Sequence, residues 1–286
     1  MKRKEPIGPA LRRICQRHLD KALAGLARTD RSETIHTVRK EIKKLRAVFR
    51  LLEGTRHRKK YRAIARLLRL APKPLAAPRD ARVRCRAFEL LVQSKPGQFG
   101  TTRRQLRTSS HRAEIRFYDF KSAARTRDLL KKARRRLGNL GFKRFDWPDL
   151  RRGLEASLAG GREAYQRAGE YSAASHLHEW RKQVKDLGYQ LDFLCAHWPA
   201  KTRARLAALE RLGDELGHEH DLALLEHFVR ARGKPGSETT SLQALIATRR
   251  KQLATSIRRL GSRLYTGSLA AVCAQVETDW RTWRDA

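Results

Sequence analysis

A nine-residue pattern occurs twice in this chain. Ile35-His36-Thr37-Val38-Arg39-Lys40-Glu41-Ile42-Lys43 lies over Leu177-His178-Glu179-Trp180-Arg181-Lys182-Gln183-Val184-Lys185, with the His, Arg, Lys, Lys and apolar positions in register. The offset is 178 − 36 = 142, close to half of the 286 residues. At the same offset Leu45 meets Leu187, Phe49 meets Leu191 and Leu52 meets Leu194. A second match, Arg79-Asp80-Ala81-Arg82-Val83 against His220-Asp221-Leu222-Ala223-Leu224, follows at 220 − 79 = 141. Two matches in one order point to a tandem of two related halves joined near residues 138–148.

The halves read as helical. Ala, Leu, Arg, Lys, Glu and Gln dominate, apolar residues fall at i, i+3, i+4 and i+7, and no sustained apolar/polar alternation is flanked by hairpin turns. The pattern predicts helices at 9–28, 33–53, 57–70, 79–94, 101–137, 149–169, 174–196, 200–215, 219–232, 238–262 and 268–284. Pro72, Pro74 and Pro78, Pro96-Gly97, Gly138 with Gly141, Trp147-Pro148 and Lys234-Pro235-Gly236 mark the breaks.

On a helix, the repeated segments each separate into two faces. His36, Arg39, Lys40, Lys43, Arg46, Ala47 and Arg50 oppose Ile35, Val38, Ile42, Leu45, Phe49 and Leu52. In the second copy His178, Arg181, Lys182, Lys185 and Tyr189 oppose Leu177, Trp180, Val184, Leu187, Leu191 and Leu194. A basic stripe is ordinarily a solvated face, but such faces mix signs, and Glu41 is the only acid from His36 to Arg50. A donor about every 5.4 Å suits a ligand charged at every step of its length. The whole chain carries 65 Lys+Arg against 29 Asp+Glu, a formal charge of +36. That excess points to a polyphosphate, a nucleic acid or an anionic membrane surface as partner. The 40% of hydrophobic residues, regularly spaced, argue against a disordered basic tail.

The segments IHTVRKEIKKLRAVFRLL and LHEWRKQVKDLGYQLDFL resemble the two signature helices of CHAD proteins, the conserved histidine α-helical domain family. RDARV and HDLAL resemble that family's Asp-containing segments, and the resemblance covers most of the chain. It implies an all-α fold of two pseudo-symmetric antiparallel four-helix bundles, residues 1–143 and 144–286, around a basic central surface. It further implies non-catalytic binding of inorganic polyphosphate and association with polyphosphate granules. Carried over, the ligand face is His36, Arg39, Lys43, Arg46 and Arg50 in one half and His178, Arg181, Lys182 and Lys185 in the other. Lys40 shares the first face by geometry, and Tyr189 supports the second. Gly188 stands where the first copy has Arg46, so the first face is expected to be the stronger. APKPLAAPRD replaces the short turn usual before the Arg-Asp segment, and Arg79 is given no role.

Asp80 and Asp221 are expected either to hold a basic residue of the signature helices or to cap a helix. His218 and His220 point about 200° apart on a helix and do not converge on an ion, so no metal or cofactor is expected. Cys15, Cys85, Cys195 and Cys273 are widely separated and suggest neither disulfides nor zinc, which fits a reducing cytoplasm. No apolar h-region follows the basic N-terminal residues and no 18-residue apolar run occurs, so the expectation is a soluble protein without membrane association. No GxxxxGK[ST] loop, GxGxxG after a strand or suitable carboxylate pair points to an enzyme. The rival readings are nucleic-acid binding through phosphate contacts and, from another class, a polyphosphate-processing enzyme recruiting metal at Asp80 and Asp221.

Overall fold

The computed structural model describes residues 1–27, 31–53, 58–95, 97–119, 121–142, 145–170, 173–195, 197–232 and 236–286, with the backbone alone at 31–34, 58–60 and 118–119. The predicted boundary between residues 143 and 144, and the break residues Pro96, Lys234 and Pro235, lie outside the described residues. In chain order the elements are α1 (Ile7–Gly25), α2 (Arg31–Glu53), α3 (Arg58–Leu70), a 3-10 turn (Lys73–Leu75), α4 (Ala76–Leu91), α5 (Gly100–Asp119) and α6 (Ser122–Gly138). There follow α7 (Trp147–Glu170), α8 (Ala174–Leu194), α9 (Ala200–Arg232), α10 (Ser237–Tyr265) and α11 (Leu269–Asp285). The fold is all-helical, and no strand occurs among the described residues.

The apolar stripes pack where the periodicity puts them. Ile35, Val38, Ile42, Leu45, Phe49 and Leu52 are buried, as are Trp180, Val184, Leu187, Leu191 and Leu194, while Leu177 is half-buried. Each such side chain contributes about 1.5–3 kcal/mol relative to exposure. Tyr61 sits among Phe49, Phe142 and Phe145, and Trp180 among Tyr165 and Tyr265. Helix α1 packs on α2, α2 on α3, α4 on α5, and α6 on α1 and α3. Likewise α7 packs on α8, α8 on α9, α9 on α10, and α11 on α7 and α9. Across the middle, α2 lies on α7 and α8, and α4 lies on α9.

Several expectations are corrected. The predicted helix at 101–137 divides between α5 and α6, where Lys121 takes a left-handed conformation at φ 49° that a regular helix cannot contain. Pro78 does not precede α4 but lies in its first turn, where its missing N–H would have had no helical partner anyway. The predicted helices at 200–215 and 219–232 are one helix, α9, which runs straight through Gly217. Shifted back by the repeat, α9 would span 200 − 142 = 58 to 232 − 142 = 90, the stretch in which the first copy has α3, the 3-10 turn and α4. Pro72 and Pro74 break that copy because proline cannot donate to the helical ladder. Ala47, assigned by periodicity to the basic face, is fully buried, and its carbonyl accepts a 3.1 Å hydrogen bond from Gln190 Nε2 across the α2–α8 seam.

Candidate functional site

The basic faces of α2 and α8 meet at the centre of the molecule, flanked by α4 and α9. Along the α8–α9 pair, His178 and His220 stack with ring centroids 4.4 Å apart. One turn on, the Arg181 guanidinium lies over Gly217, and after another turn the Lys185 stem lies over Gly213. A Cβ at Gly217 would meet Arg181 Nε at 3.4 Å, and one at Gly213 would meet Lys185 Cε at 2.8 Å. Two glycines four residues apart therefore make a shallow trough in which two long basic side chains lie flat. Their close approach offsets the roughly 1 kcal/mol that an interior helical glycine costs. Lys185 Nζ also reaches Asp214 at 2.8 Å.

On the other side, Arg39 Nη1 donates to the carbonyl of Pro72 at 2.9 Å, so the proline-rich insertion supplies an acceptor. Arg79, given no role by the sequence, stands in the middle. It donates to Asp80 at 2.9 Å and reaches Asp221 of α9 at 3.5 Å. Both aspartates lie inside helices and neither is a cap. Their hydrogen-bonded partner is Arg79, on α4, rather than a residue of the signature helices.

The charge at this centre is unbalanced. Arg50 pairs with Asp186 at 2.7 Å, Lys182 pairs with Glu179, and Lys185 pairs with Asp214. Arg39, Lys43, Arg46 and Arg181 have no carboxylate at ion-pair distance among the described residues. Burial, followed by the charges of Arg181, Arg79, Arg39 and Lys185, pushes the Lys43 ammonium down to about 7. Burial and the neighbouring Arg79 hold Arg39 and Arg181 below the usual guanidinium range, with partial relief from Asp80 and Asp221 respectively. His36, exposed at its outer edge, is lowered by the partial burial of its ring and by Lys43 and Lys40; His178 is lowered by burial and by Lys182 and Arg181. His220 is pushed down to about 3, by burial and then by His178, Arg79, Arg181 and Lys43. Two buried nitrogens at this centre, Arg181 Nε and His178 Nδ1, have no hydrogen-bond partner among the described residues. Crowded, partly desolvated cations with unused donors leave an arrangement that an anion would relieve.

Of the residues predicted from sequence, Arg39, Lys43, His178, Arg181 and Lys185 are brought together here. His36 and Lys40 lie exposed beside them on α2, and Arg46 lies where its charge acts on Arg39 and Asp186. Arg50 turns to α8, where it bonds Asp186 and Gln183. Lys182 is held by Glu179, and the half-buried Tyr189 ring lies 5.8 Å from Lys44 Nζ. Sequence reasoning missed Arg79, His220 and the glycine trough. Their signal was present: Gly213-x-x-x-Gly217 has the same four-residue spacing as Arg181 and Lys185.

The fold and this centre define an all-helical protein with an unbalanced cationic cluster where its signature helices meet. The chain belongs to the CHAD family, whose CHAD domain model matches residues 10–230. The crystal structure of the CHAD domain from the plant Ricinus communis superposes with a TM-score of 0.58 at 17% identity, covering 97% of this chain and 93% of that one. At that identity the likeness speaks for the fold. No curated protein matches the sequence. Among the described residues no helix is long and apolar enough to cross a membrane.

Proposed function

We propose that this protein binds inorganic polyphosphate, without acting on it chemically, in the cationic cluster of Arg39, Lys43, Arg79, Arg181 and Lys185. One observation carries the reading: Lys43 sits among four other cations and is pushed down to about 7 by burial and their charge, a strain that a bound polyanion would reverse. Membership of the CHAD family supports it, as does the turn-by-turn spacing of donors on α2 and α8. His36, Lys40, Arg46 and Arg50, with His178 and Lys182, extend the track beyond its centre. Such binding would locate the protein with polyphosphate granules in the cytoplasm.

The reading includes an architecture. The two halves, residues 1–143 and 144–286, are duplicated four-helix bundles that contribute one signature helix each to the shared surface. The recurrence of packing partners in the two halves supports this, with α3, the 3-10 turn and α4 standing for α9.

Competition calorimetry tests the function. Long-chain polyphosphate is expected to displace a bound duplex oligonucleotide at a far lower phosphate concentration than the reverse. Equal or better competition by the duplex would reduce the claim to general polyanion affinity and favour the nucleic-acid reading. Sustained orthophosphate release with Mg²⁺, lost on changing Asp80 and Asp221, would overturn the non-catalytic part.

A further inference from the structure

Away from the central cluster, a cavity of about 430 Å³ opens between α1, α2 and the end of α8. Its volume falls in the range of about 300–1,000 Å³ typical of small-ligand sites. The lining is of two kinds. Ile14, Val48 and Phe193 are buried and apolar, and Tyr189 adds a ring. Against them stand Lys2, Arg17 and Lys44, with Met1 at the rim and one carboxylate, Asp192, beside Lys44. Arg17 has no ion pair among the described residues, and Lys44 has only a long contact with Asp192, at 3.5 Å. Arg13 also lines the cavity but is occupied by Glu5 through two hydrogen bonds, at 2.8 and 2.5 Å.

His18 closes the wall. Its ring lines the cavity, and its Nδ1 lies 2.5 Å from Glu41 Oε2, both residues being buried. Glu41 thereby fixes the ring and leaves Nε2 as the nitrogen for a ligand. The fold does not require this pair. At the repeat offset His18 corresponds to position 18 + 142 = 160 and Glu41 to 41 + 142 = 183, which hold Gly160 and Gln183. There the second copy packs the glutamine directly on the glycine: a Cβ on Gly160 would be 3.5 Å from Gln183 Oε1. A buried titratable pair is costly to keep, so its presence in one copy only, at the edge of a cavity, marks a local role.

We propose that this cavity is a second binding site, for a mononucleotide-sized organic phosphomonoester. Arg17, Lys44 and Lys2 hold the phosphate, His18 Nε2 contacts a polar atom of the ligand, and the organic group lies against Tyr189, Val48 and Phe193. The apolar part of the wall, with the Tyr189 ring, suits an organic ester better than a long inorganic chain, which has no apolar part to bury. The assignment does not rest on polyphosphate binding at the central cluster.

Isothermal titration of the full chain with adenosine monophosphate, and separately with inorganic phosphate, tests it. Saturable binding of the nucleotide, tighter than that of inorganic phosphate, is expected. The double substitution Arg17→Ala with Lys44→Ala should weaken nucleotide binding by at least about tenfold, the scale of losing charged hydrogen bonds, with polyphosphate affinity unchanged. The double substitution Arg39→Ala with Arg181→Ala should leave nucleotide binding in place. The proposal is overturned by absence of saturable nucleotide binding, by equal affinity for inorganic phosphate, or by loss of nucleotide affinity in the central variant alone. Nucleotide binding that persists in a protein unable to bind polyphosphate would refute the central reading and leave this one standing. Thermal melts confirm that each variant is folded.

Discussion

The two copies of the repeat present the same basic face on different supports. In the second copy α8 lies against one unbroken helix, α9, whose Gly213 and Gly217 seat Lys185 and Arg181, while Asp214 neutralises the lysine. In the first copy Pro72 and Pro74 split the corresponding support; the Pro72 carbonyl accepts from Arg39, and Arg79 on the separate α4 reaches Asp221. Among the described residues Arg39, Lys43 and Arg46 of α2 are left without carboxylates, whereas of the predicted Arg/Lys residues in the second copy only Arg181 is so left. Carboxylates of the signature helix itself, Glu179 and Asp186, and of the support, Asp214, together decide how much positive charge each face has to offer. A proline insertion that looks like damage to the repeat adds a cation and an acceptor instead.

The largest expected effect comes from removing both faces. Replacing Arg39, Lys43, Arg181 and Lys185 together by Ala should weaken polyphosphate binding by at least about 100-fold, given about 1.5–3 kcal/mol per charged hydrogen bond and incomplete additivity. The affinity should also depend less steeply on salt, because fewer counterions are displaced. The separate doubles sharpen the comparison. Arg39→Ala with Lys43→Ala should cost more than Arg181→Ala with Lys185→Ala, since Lys185 is already paired with Asp214. Calorimetry at several salt concentrations reads both quantities. Equal losses would show that the pairing with Asp214 is irrelevant, and an equal loss from four exposed arginines elsewhere would show that net charge alone matters.

A smaller effect follows from pH. With Lys43 near 7 in the free protein, a bound polyanion should restore its proton, so binding above pH 7 takes up protons and weakens as pH rises. The loss is at most about tenfold per pH unit. Stability of the free protein runs the other way. The folded state binds fewer protons than the unfolded chain between about 7 and the ordinary lysine value near 10.4, so Lys43's contribution is fully present above that value. It is lost as pH falls toward 7. Titrations in buffers of different ionisation enthalpy measure the uptake. Lys43→Arg, which stays charged, should abolish it between pH 7.5 and 9 while retaining affinity; uptake that persists in this variant would assign the proton elsewhere.

How much of this was legible in the sequence depended on whether the cause was local. The apolar stripes and basic faces follow from 3.6-residue periodicity, and α2 and α8 carry them as read. The helix expected at 200–215 and the one expected at 219–232 are a single helix, and Gly217 between them is occupied by Arg181 from a neighbouring helix, a contact that no local rule contains. Ala47 shows the same limit from the other side, since its face is buried only because α8 crosses there. Arg79 was passed over because its value lies in reaching Asp221, 142 residues away in sequence. The Arg50–Asp186 pair depends on the α2–α8 packing in the same way.

The smallest effect probes the position where the second basic face lacks a cation that the first has. Gly188 occupies the place of Arg46 in the repeat, and a Cβ there would meet nothing within 4 Å, so no packing reason keeps it glycine. Gly188→Ala should raise stability by up to about 1 kcal/mol, the helical penalty of an interior glycine, and leave polyphosphate affinity unchanged. Gly188→Arg should keep most of that gain and restore the missing cation to the second face, tightening binding a few-fold at low salt and less at high salt. Chemical denaturation and calorimetry separate the two readouts. If Gly188→Arg stabilises the fold without tightening binding, the inequality of the faces comes from the carboxylates that pair with Lys182 and Lys185; if it tightens binding, part of that inequality is this one absent charge.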